Sequence, residues 1–301
     1  MREEYIAQHL VHAYHLSMFS ISEDTDHVHA FDKVSESTFK ASVSNVAVAD
    51  WYYDGKEEDP ETELWLQKIE SDVVGQTGAY NKFRILKDLS NTQITREDVR
   101  AMAKYIALHD ERTATVRKWL KKIPEHILKI YDGNMTDDFR EELERSMETD
   151  SLRDTHVNVM KSVVSSAQTL IDEFYWAILE NDTEIPLWTS DNPVAKTNEY
   201  DLSPYGSLGL HSPGIQIYFP LSPDSVLALF DPDQYYLASS EITNPAEIKK
   251  LNRIQVECCD RQVYSSTCDF SDAKELISQY PEIADEDYTR QSFGTGLPDS
   301  L

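Results

Sequence analysis

The chain carries 54 Asp and Glu against 28 Lys and Arg, a formal net charge of −26 over 301 residues. Charge of one sign repels itself and works against any compact state. At molar salt the screening length shrinks to about 3 Å and most of that repulsion disappears. The composition therefore predicts an acidic, halophilic protein of a salt-loaded cytoplasm, although lysine is not scarce. Hydrophobic residues make up 40% of the chain, with 16 Tyr, 10 Phe and 5 Trp, which is enough to build a core and too much for a disordered segment. The acid excess argues against a broad basic nucleic-acid footprint. The opening residues, with Arg2, Glu3 and Glu4, contain no apolar run, so no signal peptide and no membrane partner are expected. Cys258, Cys259 and Cys268 match no disulfide framework or zinc spacing and read as buried structural thiols.

Patterning predicts an α+β chain: a mostly helical middle section followed by an antiparallel sheet of hairpins, in a single domain over 1–285 with a flexible tail over 286–301. Residues 5–18 read as a short helix or turn, and Val28–Ala30 and Thr38–Val48 as strands. The charged run 54–63 is a solvated loop leading into a helix, followed by another over 80–89. Thr95 with Asp98 three residues on predicts a helix start, and the stripe Val99, Met102, Ala103, Ile106 carries it to about 120. Pro124 is expected to open the next helix, with further helices over 137–147 and 151–172. Residues 174–179 favour a strand, with 187–190 returning as a hairpin. A second hairpin joins 215–221 to 225–230. Asn244-Pro245 with Glu247 marks a helix start, and a strand over 262–267 and a helix over 272–279 close the domain.

Four constellations could carry chemistry. Glu63 and Glu70 lie two turns apart on one helix face, where paired carboxylates could hold a divalent cation or divide acid and base work; a salt-bridged face is the bland reading. His109 and Arg112 are helix neighbours, an imidazole base beside a guanidinium that could clamp an anion or tie two helices together. Thr189 to Pro193 places Asp191 at a strand end, where it is either presented for chemistry or forms a turn. His27 and His29 share one strand face, with no partner ligand in view, and His9, His12 and His15 read as surface or packing residues. No P-loop, dinucleotide fingerprint, nucleophile elbow or zincin motif occurs, and 9 glycines leave little for a phosphate-cradling loop.

The order of segments resembles the family called domain of unknown function 4238. Glu4-Tyr5-Ile6-Ala7-Gln8 stands where that family has His-Tyr-Val-Pro-Gln. Glu63, Leu66 and Glu70 match its Glu-x-x-Leu-x-x-x-Glu helix, and His109, Arg112 and Thr113 its Gln-x-x-Arg-Thr. Trp176 with Ser190–Pro193, the Pro220–Pro223 turn and Asn252 complete the series. Glu4, Ala7 and His109 depart from the family's His, Pro and Gln. The resemblance implies that Glu63, Glu70, Arg112 and Asp191 share one polar site. On that basis the expectation is a metal-dependent hydrolase or nuclease, with a divalent cation on Glu63, Glu70 and Asp191, Arg112 stabilising negative charge and His109 as acid or base. The alternative is a non-catalytic ligand- or partner-binding module with a structural polar core.

Overall fold

A computed structural model describes residues 6–22, 24–56, 59–75, 78–86, 94–131, 133–200, 208–237 and 239–288. It is an α+β fold. Its main sheet has five strands in the order β10 (Glu241–Ile242), β5 (Tyr175–Asn181), β9 (Ser225–Phe230), β8 (Ile215–Ser222), β7 (Ala195–Asn198). All six residues of β9 are buried because both faces are covered. Alternate residues point to opposite sides. Leu227 and Leu229 join the large core under the helices α4 (Arg96–Glu111) and α8 (Val163–Glu173), while Val226, Ala228 and Phe230 pack with Ile248 of α9 (Pro245–Cys258).

A four-stranded sheet runs β3 (Ser37–Ser42), β2 (His27–Asp32), β11 (Gln262–Ser265), β6 (Thr189–Ser190). Phe31 and Val263 face α10 (Ser271–Gln279), and Val28, Ala30 and Tyr264 face α1 (Ala13–Ser17). Helix α9 serves both sheets. Its Asn252 Oδ1 accepts the Trp188 amide at 2.8 Å and its Nδ2 donates to Pro186 O. Among the described residues no helix is long and apolar enough to cross a membrane.

Several expectations need correction. Ala7–His9 is a strand, β1, paired with β4 (Val48–Asp50), and only Ala13–Ser17 of the first segment is helical. The expected strand over 38–48 stops at Ser42, where a 3-10 turn over Val43–Asn45 intervenes. The long helix from Thr95 is two, α4 and α5 (Ala114–Ile130), broken at Arg112-Thr113, with Pro124 inside α5 instead of opening it. Likewise 151–172 divides into α7 (Thr149–Met160) and α8. Residues 187–190 do not return beside β5; β6 pairs with β11 in the other sheet. Cys258 and Cys259 are buried, but Cys268 is exposed. The helix expected over 80–89 is α3 (Ala79–Ile85), and residues 87–93, like Glu4, Tyr5 and 289–301, lie outside the described residues.

Candidate functional site

Arg112 ends α4 and is only 1% exposed. A guanidinium taken out of water loses several kcal/mol of solvation, so its nitrogens need partners. Nη1 donates to Glu70 Oε1 at 2.5 Å, Nε to the Tyr53 hydroxyl at 3.2 Å, and Nη2 to the His9 carbonyl. Tyr53 OH in turn donates to the Arg112 carbonyl at 3.0 Å, satisfying a helix-end acceptor. Burial pulls the Arg112 pKa down, but the Tyr53 and Glu70 partners outweigh it and hold it above its ordinary value. Glu70, on α2 (Glu61–Ser71), shows the converse: burial raises its pKa, and Arg112 brings it below the usual carboxylate range.

Three histidines gather beside this pair, His15 through its ring contact with His109. His12 sets Nε2 at 3.6 Å from Glu70 Oε2 and Nδ1 at 3.0 Å from Tyr105 OH. The backbone amide of His12 donates to His109 Nε2 at 3.3 Å, which leaves Nδ1 of His109 to donate to Tyr105 O at 2.9 Å. Tyr80 OH donates to Leu221 O and so accepts from His15 Nδ1 at 2.9 Å, while His15 Nε2 accepts from Thr189 at 2.7 Å. Burial, ahead of every charge nearby, pushes His12 down to about 4, His15 to about 3 and His109 well below its ordinary value. All three are neutral at pH 7.

Gln8 and Asp54 fix the entrance to α2. Gln8 Oε1 accepts the Tyr53 amide at 2.6 Å, and Asp54 accepts the amides of Thr62 and Glu63 at 2.9 and 3.0 Å. That carboxylate caps a helix whose own flanking residue, Pro60, makes no side-chain cap. Two atoms beside this network stand out. Glu63 Oε2 and His9 Nε2 are buried, and neither has a hydrogen-bond partner among the described residues. Burial raises the Glu63 pKa, with Glu70 adding to it against Arg112; burial, then Arg112, lowers that of His9.

Glu63, Glu70, His109 and Arg112 thus fall around one centre, and Asp191 does not join them. Its carboxylate accepts the amides of Asp260, Arg261 and Gln262, each at 2.8 Å. Around it Ser190 Oγ donates to Gln255, Asn192 Nδ2 to Cys258 O and Gln255 Nε2 to Pro193 O. Burial and the neighbouring Asp260 push Asp191 up to about 7 against those amides. With both its oxygens engaged and Glu70 Oε1 on Arg112, the three expected metal carboxylates do not converge. Among the described residues no group of three or more His, Cys, Asp or Glu is placed to hold a metal ion, His27 and His29 included.

Gln8, His9, His12, His15, Tyr53 and Asp54 belong to the centre and were not expected there. The one available signal was that Gln8 ends the opening motif, with the three histidines following it at intervals of three.

No curated protein and no solved structure is significantly similar to the chain. A family model described as Protein of unknown function (DUF4238) matches residues 7–269, which spans β1, the Arg112 centre, the Asp191 clamp and both sheets. The chain is a member of the DUF4238 family.

Proposed function

We propose that this protein is a hydrolase using general acid–base catalysis at the Arg112–Glu70 centre, with His9 as base and Glu63 as acid. The observation that carries the reading is the pair of buried, unpartnered atoms, His9 Nε2 and Glu63 Oε2, beside one guanidinium. Unsatisfied buried polar atoms cost stability, and burial favours the neutral form of each group, the imidazole able to accept a proton and the carboxyl able to give one, as a base and an acid require. His9 takes a proton from water as it attacks, and Glu63 gives one to the leaving group. Each Arg112 nitrogen already has a partner and the residue is 1% exposed, so we read it as positioning the pair in place of clamping an anion. Asp54, Glu63 and Glu70 around one guanidinium disfavour a polyanion arriving without a cation, which points to a neutral ester or amide over nucleic acid. The net charge supports a salt-rich cytoplasm as the setting.

The burial of Arg112, with a partner on each of its nitrogens, favours a second reading, a binding module with a purely structural polar core. The two separate on cleavage of p-nitrophenyl acetate and bis(p-nitrophenyl) phosphate in high KCl, with EDTA and with Mg²⁺ or Mn²⁺. Wild type is expected to cleave the acetate in EDTA, and His9→Gln and Glu63→Gln to lose roughly a hundredfold, a typical general acid–base contribution, while remaining folded. Folded wild type that cleaves neither substrate leaves the second reading standing. Cleavage that needs Mg²⁺ or Mn²⁺ restores the metal-dependent form.

A further inference from the structure

Helix α2 has two working faces. Leu66 and Glu70 turn inward, whereas Trp65, Lys68 and Ile69 line a half-open groove of about 600 Å³ on its other side, bordered by α4 and the start of α8. That volume falls within the range of about 300–1,000 Å³ typical of small-molecule sites. In a chain with twice as many acids as bases, this groove collects Lys68, Arg100, Lys104 and Lys161. Among its carboxylates Asp98 is taken up by Lys82 at 2.7 Å and by Thr95, and Glu97 lies 3.8 Å from Arg100. Lys68, Lys104 and Lys161 have no carboxylate within ion-pair distance among the described residues, which sets three unpaired ammonium groups against Asp72. Two further features face the same space. The 11-residue helix α8 opens onto it at Val163 and Val164, and its N-cap, Ser162, makes no side-chain capping bond. A helix start with this polarity attracts phosphate. Trp65, packed on the core along one edge, offers an indole where a flat ring can stack, beside Ile69 and the 63%-exposed Val164.

We propose that this groove binds a nucleotide, with phosphates on Lys68, Lys104, Lys161 and the α8 start, and the base on Trp65. The chain has no glycine-rich phosphate loop, so side chains and a helix end do that work. The site lies on the face of α2 turned away from Glu70 and does not depend on the hydrolase reading.

Isothermal titration of the full chain with ATP, with inorganic triphosphate and with adenosine tests it, at two KCl concentrations. ATP is expected to bind, more weakly at the higher KCl because exposed charge pairs are screened. Lys68→Ala/Lys104→Ala is expected to weaken ATP and triphosphate alike by roughly tenfold or more. Trp65→Ala is expected to weaken ATP by roughly tenfold, with triphosphate unchanged, because only ATP loses a stacking partner. Both lysines are exposed, and circular dichroism with a melting curve confirms that the variants fold. No ATP binding by folded wild type overturns the proposal. So does ATP binding indifferent to the lysine pair, and ATP binding that is no tighter than triphosphate binding and is indifferent to Trp65→Ala overturns the assignment to a nucleotide.

Discussion

Arg112 and Asp191 are both buried charges, 1% and 8% exposed, yet they are held in opposite ways. Arg112 is satisfied by groups from distant parts of the chain: Glu70 is 42 residues away, Tyr53 is 59 and His9 is 103. Asp191 is satisfied by three successive amides on one strand approach, residues 260–262. A hub of side chains joins β1, α2 and α4 and leaves His9 Nε2 and Glu63 Oε2 unmatched at its margin. A carboxylate in a nest of amides joins β6 to β11; beside it Asn192 Oδ1 is buried without a hydrogen-bond partner, and Asp260 Oδ1 is ion-paired with Lys118 at 2.8 Å. Burial and charge do not by themselves mark a reactive site; what differs at the hub is that its unmatched atoms belong to an imidazole and a carboxyl, which can exchange protons, whereas the one beside Asp191 is an amide oxygen.

The largest expected effect follows from the hub. Arg112→Met should cost about 3–5 kcal/mol in urea unfolding, since it strands Glu70 in the interior. Adding Glu70→Leu should recover part of that loss, because no lone carboxylate is then left behind. A single variant within about 0.5 kcal/mol of wild type would break the comparison, because it would make the hub no more than surface polarity. Asp191→Ala comes next, at about 2–3 kcal/mol, as three amides lose their acceptor and turn to whatever water can reach them. If it matched or exceeded Arg112→Met, the amide clamp and not the side-chain hub would be the fold's main polar tie.

The pH dependence sets the hub histidines against Asp191 by sign. His12 and His15 in the hub have folded pKa values of about 4 and about 3, below the unfolded value near 6.5. Their contribution is complete above about 6.5 and is lost as pH falls towards 4 and 3, where the unfolded chain takes up the protons. Asp191 has the reverse sign. Its folded pKa of about 7 exceeds its unfolded value of 3.8, so its contribution is present below about 3.8 and is lost as pH rises through 7. Melting curves across this range should fall on the acid side in both wild type and Asp191→Asn. The loss towards pH 7 should be shallower in Asp191→Asn; an unchanged slope there would mean that the amides keep Asp191 ionised throughout.

What was legible in the sequence was what neighbours in the sequence decide. The Thr95–Asp98 capping box forms as read, Asn244 caps α9 at Ala246, and β8 and β9 pair as the hairpin their spacing predicts. The break at Arg112-Thr113 was not legible, because the apolar stripe runs on through it and the partners of Arg112 lie far back in the chain. The two-residue strand β6 was assigned to the wrong sheet for the same reason: its register is set by β11, more than 70 residues later. At the centre, Glu63, Glu70, His109 and Arg112 were named from their helical spacing, and the resemblance joined Glu63, Glu70 and Arg112 into one site. His9, His12 and His15 were passed over because helical spacing reads as packing, and His9 is in fact on a strand. Asp191 was placed with the others because Ser-Asp-Asn-Pro looks the same whether it presents a carboxylate or buries one.

The smallest expected effect is the most telling. Glu63 sits on the same helix face as Glu70 with one oxygen buried and unpartnered, and burial already disfavours its charge. A residue kept for structure should lose stability when changed, whereas one kept for chemistry often gains it. Glu63→Gln retains the shape, removes the ionisation and relieves the repulsion from Glu70. Urea unfolding at pH 7 should therefore show a gain of about 0.5 kcal/mol, shrinking as pH falls and the wild-type carboxyl takes up its own proton. A loss of about 1 kcal/mol or more would mean that the carboxylate is paired in solution. Glu63 would then join Glu70 as scaffold, and the acid of the proposed pair would have to be sought elsewhere around Arg112.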